Sequence, residues 1–163
     1  MRSKRIVLVS HCVLNQNSVL EGWERARGAY PVVRAFIDAG IGIVQLPCPE
    51  LISCGLCRPP RSRDDYDTAE YRTLCKELLK PYIIQLREYK KNGYELVGLC
   101  AIESSPTCSM SGDRGVLMDE LLLMLEAEDI ALPYIEIPET YREGGSSTEL
   151  EEKIYEFIGG KTK

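Results

Sequence analysis

Short, continuously apolar runs alternate along this chain with longer stretches whose apolar residues recur every three or four positions. Arg5 to Ser10 (Arg-Ile-Val-Leu-Val-Ser) is β-branched and apolar throughout, as expected of a central strand covered on both faces. From Gly28 to Ala39, Val32, Val33, Ala35, Phe36 and Ile37 alternate with Arg34 and Asp38, which predicts a helix stopped at Gly40. Ile41 to Leu46 repeats the strand signature. Asp67 to Lys90 carries Tyr71, Leu74, Leu78, Leu79, Ile83, Ile84 and Leu86 among charged residues, which predicts one or two helices with Pro81 as a start or a kink and Asn92-Gly93 as the end. Tyr94 to Ile102 reads as a third strand, Gly115 to Asp129 as a helix, Leu132 to Ile137 as a fourth strand, and Ser146 to Ile158 as a closing helix. The alternation, with short connections and no internal repeat, predicts a single α/β domain over residues 1–163, built on a mainly parallel sheet of about four strands with helices on both faces.

Composition narrows the classes. The 163 residues are 44% hydrophobic and 28% charged, enough for one soluble core. A formal charge of -5 argues against binding a nucleic acid polymer or an anionic membrane, since both require a basic face. No apolar run reaches the roughly 18 residues of a membrane span, and Met1 to Arg5 leads directly into the first strand. A cytoplasmic monomer or homodimer is the expectation. Seven cysteines, an odd number in a reducing compartment, point to metal binding or catalysis rather than a disulfide framework. Cys75, in a helical segment, and Cys100, within a strand, read as small buried hydrophobes.

The densest chemistry lies between Pro47 and Arg61, where three cysteines, one carboxylate, two arginines and four prolines follow the second strand. This stretch reads as a site loop. Pro47 and Pro49 bracket Cys48 and push it toward extended geometry. Ligands of parallel α/β sheets bind beyond the carboxyl ends of the strands. Cys12, Cys48 and Cys108 each follow a different strand at that end, so three thiols distant in sequence are expected to converge. Three such thiolates could hold zinc, although structural zinc usually takes four ligands, and Cys54-Gly-Leu-Cys57 has no second pair to match it. They could hold an iron-sulfur cluster with one iron left open. A redox Cys-x-x-Cys is a third reading, weakened because Arg58-Pro59-Pro60 makes a following helix improbable.

The blocks Ser10-His-Cys-Val-Leu-Asn15, Cys48-Pro-Glu50 followed by Gly55-Leu-Cys-Arg-Pro-Pro-Arg61, and Ser105-Pro-Thr-Cys108, in this order and spacing, resemble the thiouracil desulfidase family of small iron-sulfur proteins. The resemblance extends over most of the chain. It implies a Rossmann-like three-layer domain holding a 4Fe-4S cluster through Cys12, Cys48 and Cys108. It also implies that the fourth iron captures sulfur from a small thiocarbonyl heterocycle. The carboxylate matching Glu50 and the hydroxyl matching Ser105 would assist replacement of C=S by C=O. Ser10, Asn15 and Ser104 are expected near the substrate, with Arg58 and Arg61 suited to an anionic group such as phosphate. The chain departs from the family pattern at Asn15 and Ser109, where the family has glycine, and over Asn17 to Leu20; Cys54 and Cys57 are additional to it. The alternative is a zinc- or cluster-binding structural, electron-transfer or sulfur-carrier protein. His11, the only histidine, is expected to be structural, and Trp23 and Tyr30 to line the pocket or fill the core.

Overall fold

A computed structural model describes residues 1–159. Strand β1 (Arg5–Val9) lies between β2 (Gly42–Gln45) and β3 (Glu95–Ile102), with β4 (Tyr134–Ile137) beyond β3, and every pairing is parallel. Parallel neighbours must be joined by crossovers, and the crossover helices cover the sheet. That is why β1 is apolar at every position after Arg5: Ile6 is buried, and Val7, Leu8 and Val9 are fully so. Burying a side chain such as Leu8, Leu99 or Leu117 contributes about 1.5–3 kcal/mol. The fold is the expected Rossmann-like α/β arrangement, with strand order 2-1-3-4. The chain leaves β1 toward β2, then returns past β1 to β3, so the order reverses between β1 and β3. Ligands settle at such a reversal, outside the carboxyl ends of the strands.

The helices, in chain order, are α1 (His11–Leu14), a 3-10 turn (Gln16–Ser18), α2 (Val33–Asp38), α3 (Pro49–Cys54), α4 (Arg63–Tyr66), α5 (Ala69–Lys91), α6 (Val116–Ala127) and α7 (Thr148–Phe157). Two stretches depart from the sequence expectation, and α5 takes the single-helix form of it. Helix α2 starts at Val33 rather than Gly28, because Pro31 presets a first turn in which the N–H groups of Val33 and Arg34 bond back to Tyr30 and Pro31. Helix α5 runs through Pro81 as one element of 23 residues. Its buried stripe, Tyr71, Cys75, Leu79, Ile83 and Leu86, is continuous on both sides of the proline, and Pro81 itself is exposed, so packing overrides the lost backbone bond. The stretch Pro47 to Arg61 is not loop throughout. Pro49 occupies the first turn of α3, while Cys48 just before it is extended at φ -106° and ψ 97°, as the two prolines require.

Charged residues fasten α4 and α5 to α6. Arg63 donates to Asp67 (2.8 Å) and Asp119 (2.7 Å), and Arg72 donates to Glu120 (2.7 Å), whose side chain is almost fully buried. Among the described residues, no helix is long and apolar enough to cross a membrane.

Candidate functional site

Three strand ends at one edge of the sheet deliver three cysteines. After β1 the backbone turns directly into α1, since Val13 N–H bonds back to Ser10 O (2.9 Å). Cys12 sits on this turn. Gln45 Nε2 donates to His11 O (2.8 Å) and Gln16 Nε2 to Cys12 O (2.8 Å), holding the turn from both sides. After β2, Cys48 caps α3, its sulfur accepting from Leu51 N–H at 3.5 Å. After β3, Ser105 Oγ accepts from Cys108 N (3.0 Å) and Thr107 N (3.4 Å), folding the loop so that Cys108 points back toward β1 neighbours.

Gly115, which precedes α6, is packed directly on the Cys108 turn. A Cβ there would stand 2.2 Å from the Thr107 carbonyl carbon and 2.5 Å from Cys108 N, both backbone atoms without freedom to yield. Gly115→Ala is therefore expected to cost about 3 kcal/mol in urea denaturation, with Gly28→Ala, where a Cβ would meet open space, as the neutral control. Equal denaturation midpoints for the two variants would show that the turn tolerates displacement.

The edge opens into a cleft of about 370 Å³ whose wall includes Cys12, Cys48, Cys108, Glu50 and Ser105. Ser104, Arg58, Arg61 and His11 are also on the wall. Burial pushes the Cys12 thiol up to about 12, helped by Cys48 and opposed by Arg25. Burial likewise raises Cys108 well above its ordinary value, reinforced by Cys12 and Cys48. Cys48 is raised mainly by burial, with the Leu51 N–H working against it. Cys48 thus opposes ionisation of Cys12, and both oppose that of Cys108, an effect that a positive centre among them would reverse. Among the described residues no group of three or more Cys, His, Asp or Glu side chains is gathered tightly enough to hold a single metal ion. Cys12, Cys48 and Cys108 are the residues of the cleft wall that could hold a metal centre through sulfur.

Glu50 stands in the first turn of α3, two residues after Cys48. Arg58 Nε (3.1 Å) and Tyr66 OH (3.3 Å) both donate to Oε2, which leaves Oε1 without a protein partner among the described residues. Arg58 is nearly buried, and its other donors go to Gly55 O (2.9 Å) and Ser18 O (2.9 Å). Its place in the cleft wall is that of a clamp. Arg61 is exposed at the mouth, over the Tyr66 ring and 3.6 Å from Cys54 Sγ. Ser104 is exposed in a turn at φ 61°, a left-handed conformation that costs a non-glycine residue about 1 kcal/mol.

Trp23 and Tyr30 are on the cleft wall as well, whereas Ser10, Asn15, Cys54 and Cys57 lie off it. Ser10 is fully buried next to the Cys108 thiol, whose rise in pKa its hydroxyl partly opposes. Asn15 Oδ1 accepts from Asn17 N (3.1 Å) and so caps the 3-10 turn. Cys54 is half-buried beside Ser53 and Arg61, and Cys57 is exposed. Cys75 and Cys100 are fully buried in the core, as their surroundings in the sequence suggested.

Sequence reasoning missed a polar support around Glu50 and Cys108. Tyr71 OH lies 3.1 Å from Thr107 Oγ1, the Tyr71 and Tyr66 rings pack with centroids 4.8 Å apart, and Tyr66 OH reaches Glu50. It also missed Gln16, which is buried and uses both ends of its amide, and Arg25 and Arg142, which join the cleft wall. The tyrosine contacts join segments far apart in sequence, and those of Gln16, though local, follow no recognisable spacing.

No family model matches the chain, and no solved structure does. Among curated proteins, Uncharacterized protein MJ0003 of Methanocaldococcus jannaschii is 45% identical over 155 residues, covering 94% of this chain and 99% of that protein.

Proposed function

The chain belongs to the family of Uncharacterized protein MJ0003, and from its cleft we propose that it is an iron-sulfur-dependent desulfidase. Its reaction would replace C=S by C=O in a small thiouracil-like heterocycle, consuming one water and releasing one hydrogen sulfide, with no net change of oxidation state. The observation that carries this reading is the meeting of Cys12, Cys48 and Cys108, from three strand ends, on one cleft with Glu50. The donor set fits a 4Fe-4S cluster held by these three thiolates. When bound, such a cluster supplies an iron free of protein sulfur, a soft acceptor for the departing sulfur atom.

The chain's own groups account for the rest. Arg58 and Tyr66 fix the Glu50 carboxylate through Oε2, and Oε1 is left to hold a water and take its proton. The Ser105 oxygen is occupied as an acceptor by Cys108 N–H, so its own hydrogen is what it offers to the cleft, where it can donate to the oxygen forming on carbon. Arg61 at the mouth can meet an anionic substituent. We place the protein in the cytoplasm, acting on a free small molecule as a monomer or homodimer.

The test is a panel of thiouracils, thiolated nucleosides and simple thioamides, offered to anaerobically reconstituted protein while sulfide release and thiocarbonyl absorption are followed. Sulfide equal in amount to the thiocarbonyl lost is expected for at least one ring compound. Inertness toward the whole panel with an intact cluster would remove the desulfidase reading in favour of sulfur carriage or sensing.

A further inference from the structure

Of the large apolar side chains left exposed among the described residues, Trp23 is the one on the cleft wall, with 61% of its surface exposed. At the rim of a concave site an exposed indole offers a broad, flat apolar face on which a planar ligand can stack. The backbone presents it there deliberately. Leu20 to Trp23 forms a turn closed by Trp23 N–H to Leu20 O (2.9 Å), and Gly22 at φ 80° takes the left-handed position that a type II turn reserves for glycine.

The two ends of this short flap are tied to the residues that build the site. At its start, Ser18 O accepts from Arg58, the residue that holds Glu50. At its end, Arg25 N–H donates to Gln16 Oε1 (2.9 Å), and the same Gln16 amide donates to the Cys12 carbonyl. The flap, residues 19–24, is thereby fastened at both hinges to the frame of Glu50 and Cys12. Between them Trp23 is free of core packing.

We infer that Trp23 is the ring-binding residue of this site: its indole face stacks on a planar heterocycle and covers the cleft over Glu50. The inference rests on the desulfidase reading for the identity of the reacting group, but not for the shape of the ligand. Stacking discriminates by planarity, so cyclic thioureides are held and acyclic thioamides are not.

Trp23 is the only tryptophan, which lets its own fluorescence report the contact. Uracil, a ring without reactive sulfur, should quench it saturably in both apoprotein and reconstituted protein, and acetamide should not. With a thiouracil as substrate, Trp23→Ala should raise KM about 10-fold or more at nearly constant kcat, the scale of losing one base-aromatic stack, and Trp23→Phe should restore most of the loss. No quenching by uracil, equal quenching by acetamide, or an unchanged KM in Trp23→Ala would each overturn the assignment. If the thiocarbonyl panel is inert while uracil still quenches saturably, the stacking role stands and the desulfidase reading alone falls.

Discussion

Cys12→Ser, Cys48→Ser and Cys108→Ser should each abolish iron and acid-labile sulfide in anaerobically reconstituted protein, while Cys54→Ser and Cys57→Ser should leave both nearly intact. The division follows from where the sulfurs stand. The first three line one cleft, where burial raises each thiol and the charge of a neighbouring sulfur adds to the rise at Cys12 and Cys108, so a cationic centre would favour their thiolate state. A serine hydroxyl is harder to ionise and a poorer partner for iron, and the carbonyl clamps on Cys12 and the hydroxyl fold of the Cys108 turn do not let the backbone move to compensate. Cys54 and Cys57 lie off the cleft wall. Iron and sulfide assays with the visible spectrum decide the matter for each variant. Loss of iron in Cys54→Ser or Cys57→Ser would mean a fully ligated cluster, and with it an electron-transfer or structural role. Stoichiometric zinc without iron in the parent protein would remove the cluster altogether.

The parallel sheet was legible because strands buried on both faces cannot hide their apolar runs, as in Ile6 to Val9. Convergence of the strand ends followed from the same fact, since parallel strands all finish at one edge. The proline bracket also foretold the extended Cys48. It did not foretell α3, because a proline at the first helical position and a proline in a loop look alike in sequence, and six residues are too few to show a helical period. Arg58 and Arg61 look equivalent in one motif, yet the first is a buried clamp with three internal partners and the second sits exposed at the mouth. Nothing local separates them; burial does, and burial is a tertiary property. Gln16, Tyr66 and Tyr71 escaped notice for the same reason, the tyrosines bonding to residues 16 and 36 positions away and Gln16 acting through both ends of one amide.

Glu50→Gln should keep the cluster and slow turnover about 100-fold or more, the usual scale for removing a positioned acid-base group. The amide nearly preserves shape and can still accept from Arg58 or Tyr66 through its oxygen, so loss of rate reports loss of the proton acceptor rather than collapse of the site. Arg58 keeps its bonds to the Gly55 and Ser18 carbonyls in the variant, which holds the loop although the ion pair is gone. Iron content equal to the parent's is the required control. Glu50→Asp sharpens the reading, because it retains the charge but withdraws the carboxylate by one methylene from both Tyr66 and the cleft. It should fall between the parent and Glu50→Gln in kcat, with KM changed little in either variant, since Trp23 rather than Glu50 holds the ring. Full activity in Glu50→Gln would assign water activation elsewhere, with His11 and the other carboxylates of the cleft wall, Glu24, Glu103 and Glu139, the next groups to substitute.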